Sequence, residues 1–363
     1  MSSNFGNIIR ISIFGQSHGE AVGVVIDGLP AGEKIDLDRV AAFMARRAPG
    51  GKGATQRKEK DQVRVVSGLV DGYTCGAPLC GMIENTDVRS QDYKALADIP
   101  RPMHADYPAH VRHKGFNDVR GGGHFSARLT APLCFAGAVC MQLLERKGIT
   151  LGGHILSVGD VYDTPFDPMN EDPAVFAPLA DRMLPVIDET AGEKMMAAIE
   201  NVRSDGDSIG GSVELCVLGL PAGLGEPPFG GMENRLSQAL YAVPAIKAIA
   251  FGAGCAVSKM RGSAHNDPYA IKDGSVKTLS NRHGGILGGL TTGMPLLFTC
   301  HFKPTPSIAK EQPSVSLSQM RDATLAVRGR HDPCVALRAV PCVEAAAAIA
   351  LYDLYLEAQA HGY

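Results

Sequence analysis

Hydrophobic positions along this chain come in short runs, partly alternating with polar ones, and glycine or proline closes almost every run. Residues 8–14 (Ile-Ile-Arg-Ile-Ser-Ile-Phe) are rich in β-branched side chains and predict a strand that ends at Gly15. A second strand is predicted over 22–26, stopped by Gly28-Leu-Pro-Ala-Gly32, and 63–67 is strand-like, while 74–83 holds another apolar stretch broken by glycine and proline. Asp36 or Asp38 can cap a helix running through Arg47. Apolar residues at helical spacing (Leu129, Leu133, Ala136, Cys140, Met141, Leu144) predict a second helix, with Gly148 as its stop. Beyond residue 151 the pattern predicts short strands, clearest at 213–218 and 298–302, and a helix over 233–249 in which Pro244 is awkward. A final helix is predicted over 343–359, with Pro341 in its first turn. Residues 87–119 and the Pro/Asp-rich segment 163–192 show little periodicity and read as excursions from the fold.

Two of these patterns recur. Ser17-x-Gly19-x-x-Val22, followed by Gly28-Leu-Pro-Ala-Gly32, returns without a gap as Ser208-x-Gly210-x-x-Val213, followed by Gly219-Leu-Pro-Ala-Gly223. Thr74-x-Gly76-x-Pro78-Leu79 returns as Thr291-x-Gly293-x-Pro295-Leu296. Ordered repeats of this kind predict a duplicated α+β unit, each copy a small antiparallel sheet with helices. The expectation is one domain spanning 1–363, made of two similar halves at about 5–150 and 195–360. Because the charged residues differ between the copies, a site where they meet would be asymmetric, and such a crevice is a usual place for a ligand.

Composition narrows the function. The chain has 363 residues, 45% hydrophobic and 20% charged, enough for a large core. With a net charge of −3, no Trp and no long run of one sign, neither nucleic acid nor an anionic membrane is an expected partner. The nine cysteines form no CxxC pair and suit free thiols in a reducing compartment. No paired metal-ligand spacing is visible, and no metal is expected. No signal peptide is recognisable and no apolar run reads as long enough to cross a membrane, so the expected location is cytoplasmic.

Against this neutral background, basic groups gather on glycine-rich loops. Arg120-Gly-Gly-Gly-His-Phe-Ser-Ala-Arg128 joins three glycines, open to positive φ, to two arginines, and predicts a loop whose bare N–H groups meet an anion at the start of a helix. Gly15-Gln-Ser-His-Gly19 presents His18 on a tight turn. Arg46, Arg47, Lys52, Arg57 and Lys58 cluster around the Pro49 loop, His104, His110 and His113 punctuate 87–119, and Arg328-Gly-Arg-His-Asp-Pro333 packs four ionisable side chains beside a proline. Anion donors beside histidines that titrate near neutral pH suit an enzyme acting on a small polyanion, with or without a phosphate-bearing cofactor. A flavin-independent lyase or transferase on a sugar phosphate, and a non-catalytic anion or nucleotide sensor, stay open on the residues alone.

Taken together, Phe14-Gly-Gln-Ser-His-Gly19, Arg47-Ala-Pro-Gly50, Thr55-Gln-Arg-Lys-Glu59, Glu84-Asn-Thr-Asp87, His104-Ala-Asp-Tyr107, Arg120–Arg128, Gly284–Gly289, Lys303–Ser307 and Gly329-Arg-His-Asp-Pro-Cys-Val-Ala-Leu-Arg-Ala-Val-Pro341 resemble the chorismate synthase family from about residue 5 to the C-terminus. The resemblance implies a lyase that removes phosphate and a ring hydrogen from 5-enolpyruvylshikimate 3-phosphate by anti 1,4-elimination, giving chorismate, the last step of the shikimate pathway. It implies a requirement for reduced FMN, with NADPH or an external flavin reductase as the source of electrons, a homotetramer, and a β-α-β sandwich with internal pseudo-twofold symmetry.

Residue roles carry over by position. The resemblance places His18 beside the flavin, His104 at the leaving phosphate and Asp332 at the flavin proton, with Ser17 and Ser126 near the two histidines. It assigns substrate or NADP binding to Arg47, Lys52, Arg128 and Arg338, and flavin contact to His124, Phe125, Ser126, Pro244, Ala245, Gly288, Lys303, Pro304, Thr305, Pro306, Ser307 and Arg330. Many family members have Arg-Ser-Ser where this chain has His124-Phe125-Ser126. If His124 replaces that charge only when protonated, FMN binding is expected to weaken as pH rises.

Overall fold

The computed structural model describes residues 2–48, 61–86, 95–327 and 332–363. Its helices are α1 (Leu37–Arg47), α2 (Asp106–His113), α3 (Thr130–Glu145), α4 (Ala177–Asp181), α5 (Glu189–Ser204), α6 (Met232–Leu240), α7 (Gly262–His265) and α8 (Ala336–Ala360). Two five-stranded antiparallel sheets enclose the longest of them. The first sheet runs in the order Asn4–Phe5, Arg10–Gly15, Ala21–Asp27, Leu79–Glu84, Arg64–Ser67. The second runs Val161–Tyr162, Thr150–Val158, Gly211–Leu218, Leu296–Phe302, Ile246–Phe251. Apart from the two-residue strand at one edge of each, the sheets share one topology, with their four main strands side by side in the chain order first, second, fourth, third. In both, a helix (α1 or α6) links the second strand to the third, and a long apolar helix (α3 or α8) follows the fourth.

The repeated sequences close the same turn twice. Gly32 N–H donates to Thr74 O at 2.7 Å, and Gly223 N–H to Thr291 O at 2.7 Å. Thr74 Oγ1 donates to Pro30 O and accepts from Glu33 N; Thr291 Oγ1 donates to Pro221 O and accepts from Leu224 N. Gly28 and Gly219 both hold positive φ, and a Cβ on either would lie about 2 Å from a backbone carbonyl, of Ile8 and of Gly148 respectively. The second sheet opens at Thr150, so its first strand lies ahead of the expected boundary at 195. The segment between that strand and the next carries α4 and α5, and hides the correspondence from a gap-free comparison.

The core lies between the sheets. Val22, Val24 and Ile26 point inward from the first sheet, and the ring of Phe135 on α3 presses onto Gly81, where a side chain would collide with it. On the second sheet the N–H of Gly153 donates to Glu344 of α8. α3 and α8 approach so closely that a Cβ on Gly137 would lie 2.3 Å from Ala345. Both helices are long and apolar enough to cross a membrane, contrary to the expectation above, but 89% of each apolar window is buried inside the fold.

Three further expectations change. The helix over 233–249 ends at Leu240, because Pro244 disfavours helix before it and lacks an N–H to continue one. Ala245 takes φ +76°, and Ile246–Phe251 becomes the edge strand beside Leu296–Phe302. The final helix starts at Ala336, so Pro341 sits inside it rather than in its first turn. The expectation rested on the local rule for proline, whereas burial on all sides of this helix outweighs the lost hydrogen bond. Residues 95–119 of the second excursion include α2, a full helix whose moderate amphipathicity gave little sequence signal.

Candidate active site

The glycine loop is built differently from the anion cradle expected of it. Gly121, Gly122 and Gly123 all hold positive φ, but six residues separate the last of them from α3. Their bare faces meet the chain's own side chains. A Cβ on Gly121 would lie 2.6 Å from Ser17 Oγ and 2.8 Å from the His18 ring; one on Gly122 would lie 3.3 Å from His104 Nε2. The Gly122 N–H is spent on Val119 O, and Gly123 O accepts from Ser17 N. The glycines therefore form a thin partition that brings two histidines, far apart in sequence, to either side of one loop. His18 and Ser17 are buried; among the described residues nothing hydrogen-bonds the buried Ser17 Oγ.

Beside this partition opens a cleft of about 540 Å³, lined from both halves of the chain. From the first half come Arg47, Arg101, His104, Gly121 and the segment from His124 to Thr130. From the second come Pro244, Ala245, Lys303, Thr305, Pro306, Ser307, Asp332 and Arg338. Two lining residues other than glycine, Met103 and Ala245, hold positive φ, and they are tied to each other through Lys303: its Nζ donates to Met103 O at 2.8 Å and its N–H to Ala245 O at 3.0 Å. Backbone strain of this kind gathers at functional sites.

Each arginine of the cleft is oriented by a carboxylate. Asp61, fully buried, takes one oxygen to Arg47 and the other to Arg128. Arg47 also donates to Thr130 Oγ1, and Arg128 to Asn85 Oδ1. Arg338 donates to Asp332 at 2.8 Å and to Arg47 O at 2.9 Å. Arg101 forks onto Asp106 at 2.7 and 2.9 Å and reaches Ser307 Oγ. Counting Arg47, Arg101, Arg128, Arg338 and Lys303 against Asp61, Asp106 and Asp332, the site carries excess positive charge in a chain whose net charge is −3. Burial holds Lys303 below its ordinary pKa, with Lys247 adding repulsion.

His104 Nδ1 stands 2.6 Å from Asp106 Oδ1 and 3.1 Å from an Arg101 amino group. A proton on Nδ1 donates to Asp106; a bare Nδ1 accepts from Arg101. Burial lowers the His104 pKa, and Arg101 lowers it further, against the opposing pull of Asp106. Burial works against ionisation of Asp106, but hydrogen bonds from Arg101 and His104 hold its carboxyl far below the usual range. With Nδ1 committed, Nε2 is the nitrogen that faces the glycine loop.

Most of the sequence-predicted residues meet here, with exceptions. Ser126 spends its hydroxyl as a cap, accepting from Arg128 N. Both nitrogens of His124 are engaged within the chain, Nδ1 donating to Gly15 O at 2.9 Å and Nε2 accepting from Ser3 Oγ at 2.7 Å. Both ring nitrogens are thus taken up by Gly15 and Ser3 within the chain, and the pH dependence of FMN binding expected of His124 stays a proposal. Pro304 is exposed and Gly288 sits at the tip of the hairpin Ile286–Leu287/Leu290–Thr291; neither lines the cleft. Lys52 and Arg330 lie outside the described residues. Arg101, Asp106 and Asp61 were not singled out as site residues. Their signal was present but weak: Asp106 follows His104 by two positions, and Arg101 stands between two prolines.

A family model described as chorismate synthase matches residues 9–356. The chain belongs to the chorismate synthase family. It is 44% identical to the chorismate synthase of Lancefieldella parvula, over 97% of this chain and 96% of that protein. It is 43% identical to that of Dehalococcoides mccartyi, over 99% and 98%, and 42% to that of Korarchaeum cryptofilum, over 96% of each. Among solved structures it is similar to a crystal structure of chorismate synthase, with a TM-score of 0.77 and 25% identity over 98% of this chain and 93% of that one. The α+β architecture is thus that of a chorismate synthase family member.

Proposed function

We propose that this chain converts 5-enolpyruvylshikimate 3-phosphate to chorismate and phosphate in the cleft between its halves, with reduced FMN bound there. The observation that carries the reading is the set of carboxylate-oriented arginines converging on a cleft that His104 also lines. The cleft volume falls within the roughly 300–1,000 Å³ of small-molecule sites. Its lining fits a flavin nucleotide as well as a small polyanion. Pro244, Ala245, Leu133 and Val335 supply apolar wall, Lys303 and Thr305 supply polar contacts, and Ser17 Oγ is a buried hydroxyl behind Gly121. Reduced flavin held against Pro244, Ala245, Lys303 and Thr305 would supply the transient electron density that eases breaking of the carbon–oxygen bond.

The chain's own residues do the rest. Arg47, Arg101, Arg128 and Arg338 present guanidinium forks to phosphate and carboxylates, held in place before substrate arrives. His104 in its protonated form donates Nδ1–H to Asp106 and offers Nε2–H to the departing phosphate, which leaves more readily once protonated. His18 stands across the glycine partition as a second proton carrier, and Asp332 is kept on the cleft wall by Arg338. We also infer that the sheets are copies of one unit within a single domain, that the active form is a homotetramer in the cytoplasm, and that electrons reach FMN from NADPH, directly or through a separate reductase.

Anaerobic turnover tests the reading. Chorismate absorbance and released phosphate are followed with dithionite-reduced FMN and with oxidised FMN. Chorismate and phosphate in equal amounts, and only with reduced flavin, are the expected result. Folded protein that binds FMN but turns over in neither state would favour a small-anion sensor.

A further inference from the structure

Two thiols that the reaction does not use face each other beneath the cleft. Cys134 lies in the first turns of α3 and Cys342 in the first turns of α8, and their Sγ atoms are 3.9 Å apart. Both are buried, but they differ in access: Cys342 lines the cleft floor, whereas Cys134 is enclosed. One turn further on, Gly137 meets Ala345 at the closest approach of the two helices. The thiols therefore sit where the two backbones converge, which is where the short Cα separation of a disulfide can be met. Neither thiol is held elsewhere by a strong bond. Cys342 has the Arg338 carbonyl at 3.5 Å and Cys134 the Pro341 carbonyl at 3.6 Å, both weak sulfur contacts.

We propose that Cys134 and Cys342 are a peroxide-responsive dithiol, whose disulfide staples α3 to α8 directly under the substrate-binding arginines. Hydrogen peroxide entering the cleft reaches Cys342 first. The Cys342 thiolate attacks one peroxide oxygen, the O–O bond breaks, and hydroxide leaves, giving a sulfenic acid at Cys342. The Cys134 sulfur, giving up its proton, then attacks the Cys342 sulfur and expels hydroxide, which leaves as water. Overall two thiols and one peroxide give one disulfide and two waters; sulfur loses two electrons and peroxide gains them. The surroundings favour Cys342 as the attacking thiol. The Cys134 thiol donates to it, and although burial opposes ionisation, the charges of Arg47 and Arg338 and the Thr130 hydroxyl add to the pull that lowers its pKa. Burial pushes the Cys134 thiol up, which suits the partner that keeps its proton until the second step.

The consequence follows from what Cys342 touches. Arg338 sits one helical turn before it, and its side chain holds both Asp332 and the Arg47 carbonyl. Drawing Cys342 toward α3 pulls on that turn, so oxidation is read out at the substrate arginines as well as at sulfur.

The test is peptide mapping of the full-length protein, treated with hydrogen peroxide and alkylated under denaturing conditions. The expected result is a Cys134–Cys342 linked peptide, with a loss of about 2 Da, reversed by dithiothreitol. Cys134→Ala, which removes the resolving sulfur, should instead carry Cys342 on to its sulfinic acid. The exposed thiols Cys75 and Cys255 serve as the internal control for dose. If they are oxidised while Cys134 and Cys342 both still alkylate, or if wild-type Cys342 over-oxidises without linking, the proposal is wrong. Because the readout is mass, it stands or falls independently of the flavin and substrate assignments.

Discussion

At the level of single residues, the site depends on groups that keep its histidines in place. Gly121 is the plainest case. With φ +59° and Ser17 Oγ and the His18 ring within 2.8 Å of any Cβ, alanine there must push His18 off its position. The left-handed backbone adds about 1–2 kcal/mol of strain. Gly121→Ala is expected to lower kcat about 100-fold or more while the protein still folds. Comparing kcat with the thermal midpoint checks this, and loss of activity only in proportion to loss of folded protein would refute the partition role. Asp106 is the second case. In the free enzyme burial and Arg101 hold His104 below its ordinary pKa, so the acid form is most populated at low pH. A plot of kcat/KM against pH should therefore fall as pH rises through a value below that of an ordinary histidine. Asp106→Asn removes the group that favours the protonated ring, shifts this limb to still lower pH and costs about 10–100-fold in kcat. Asp106→Glu should restore part of it. An unshifted limb would show that Asp106 serves only to hold Arg101.

Among the elements, the segment between the first two strands of the second sheet is pinned by a buried histidine. His154 Nδ1 meets Asp163 at 2.8 Å and Nε2 meets Glu214 at 2.9 Å, with no exposure of the ring. Burial lowers the imidazole pKa, but the two carboxylates overcome it and the net direction is up. Asp163 also accepts the N–H groups of Ile187 and Asp188, so it ties the far end of the insertion to the sheet. For a group whose folded pKa is raised, the stabilisation is fully present below the ordinary histidine value and fades as pH rises through the folded value. Hydrogen exchange of residues 163–188 should therefore accelerate from pH 7 to pH 9 more than exchange in the first sheet, after correction for intrinsic rates. Asp163→Asn should cost about 3–5 kcal/mol and flatten that dependence. Equal acceleration everywhere would mean that the ring is not the pin.

Over the whole molecule, what the sequence discloses is uneven for physical reasons. Three strands of the first sheet, at 8–14, 22–26 and 63–67, and helices α1 and α3 were readable because each carries its own periodicity, cap or stop. α6 was read too long although Pro244 sets its limit, and the start of α8 was misjudged because tertiary packing overrides the local proline rule there. Within the site, motif residues such as His18, His104 and Arg338 stood out, but Asp61 did not, because its meaning comes only from two arginines that approach it from α1 and from the loop before α3. The repeated turn was the most legible large-scale feature, and it makes a quantitative prediction. Thr74 and Thr291 are buried, and each hydroxyl satisfies one proline carbonyl and one backbone N–H in the same geometry. Valine at either position keeps the volume and orphans both partners, at about 1–3 kcal/mol for each group left unsatisfied. If the halves are copies folded as one cooperative unit, Thr74→Val and Thr291→Val should cost nearly the same, and the double variant should show their sum, since the two turns share no partners. Denaturant unfolding measures all three. Single costs differing by more than about 1 kcal/mol would mean the turns carry unequal loads despite matching bonds. Two separate unfolding transitions would mean that the halves, though alike, are independent folding units, and that the cleft between them is an interface rather than part of one core.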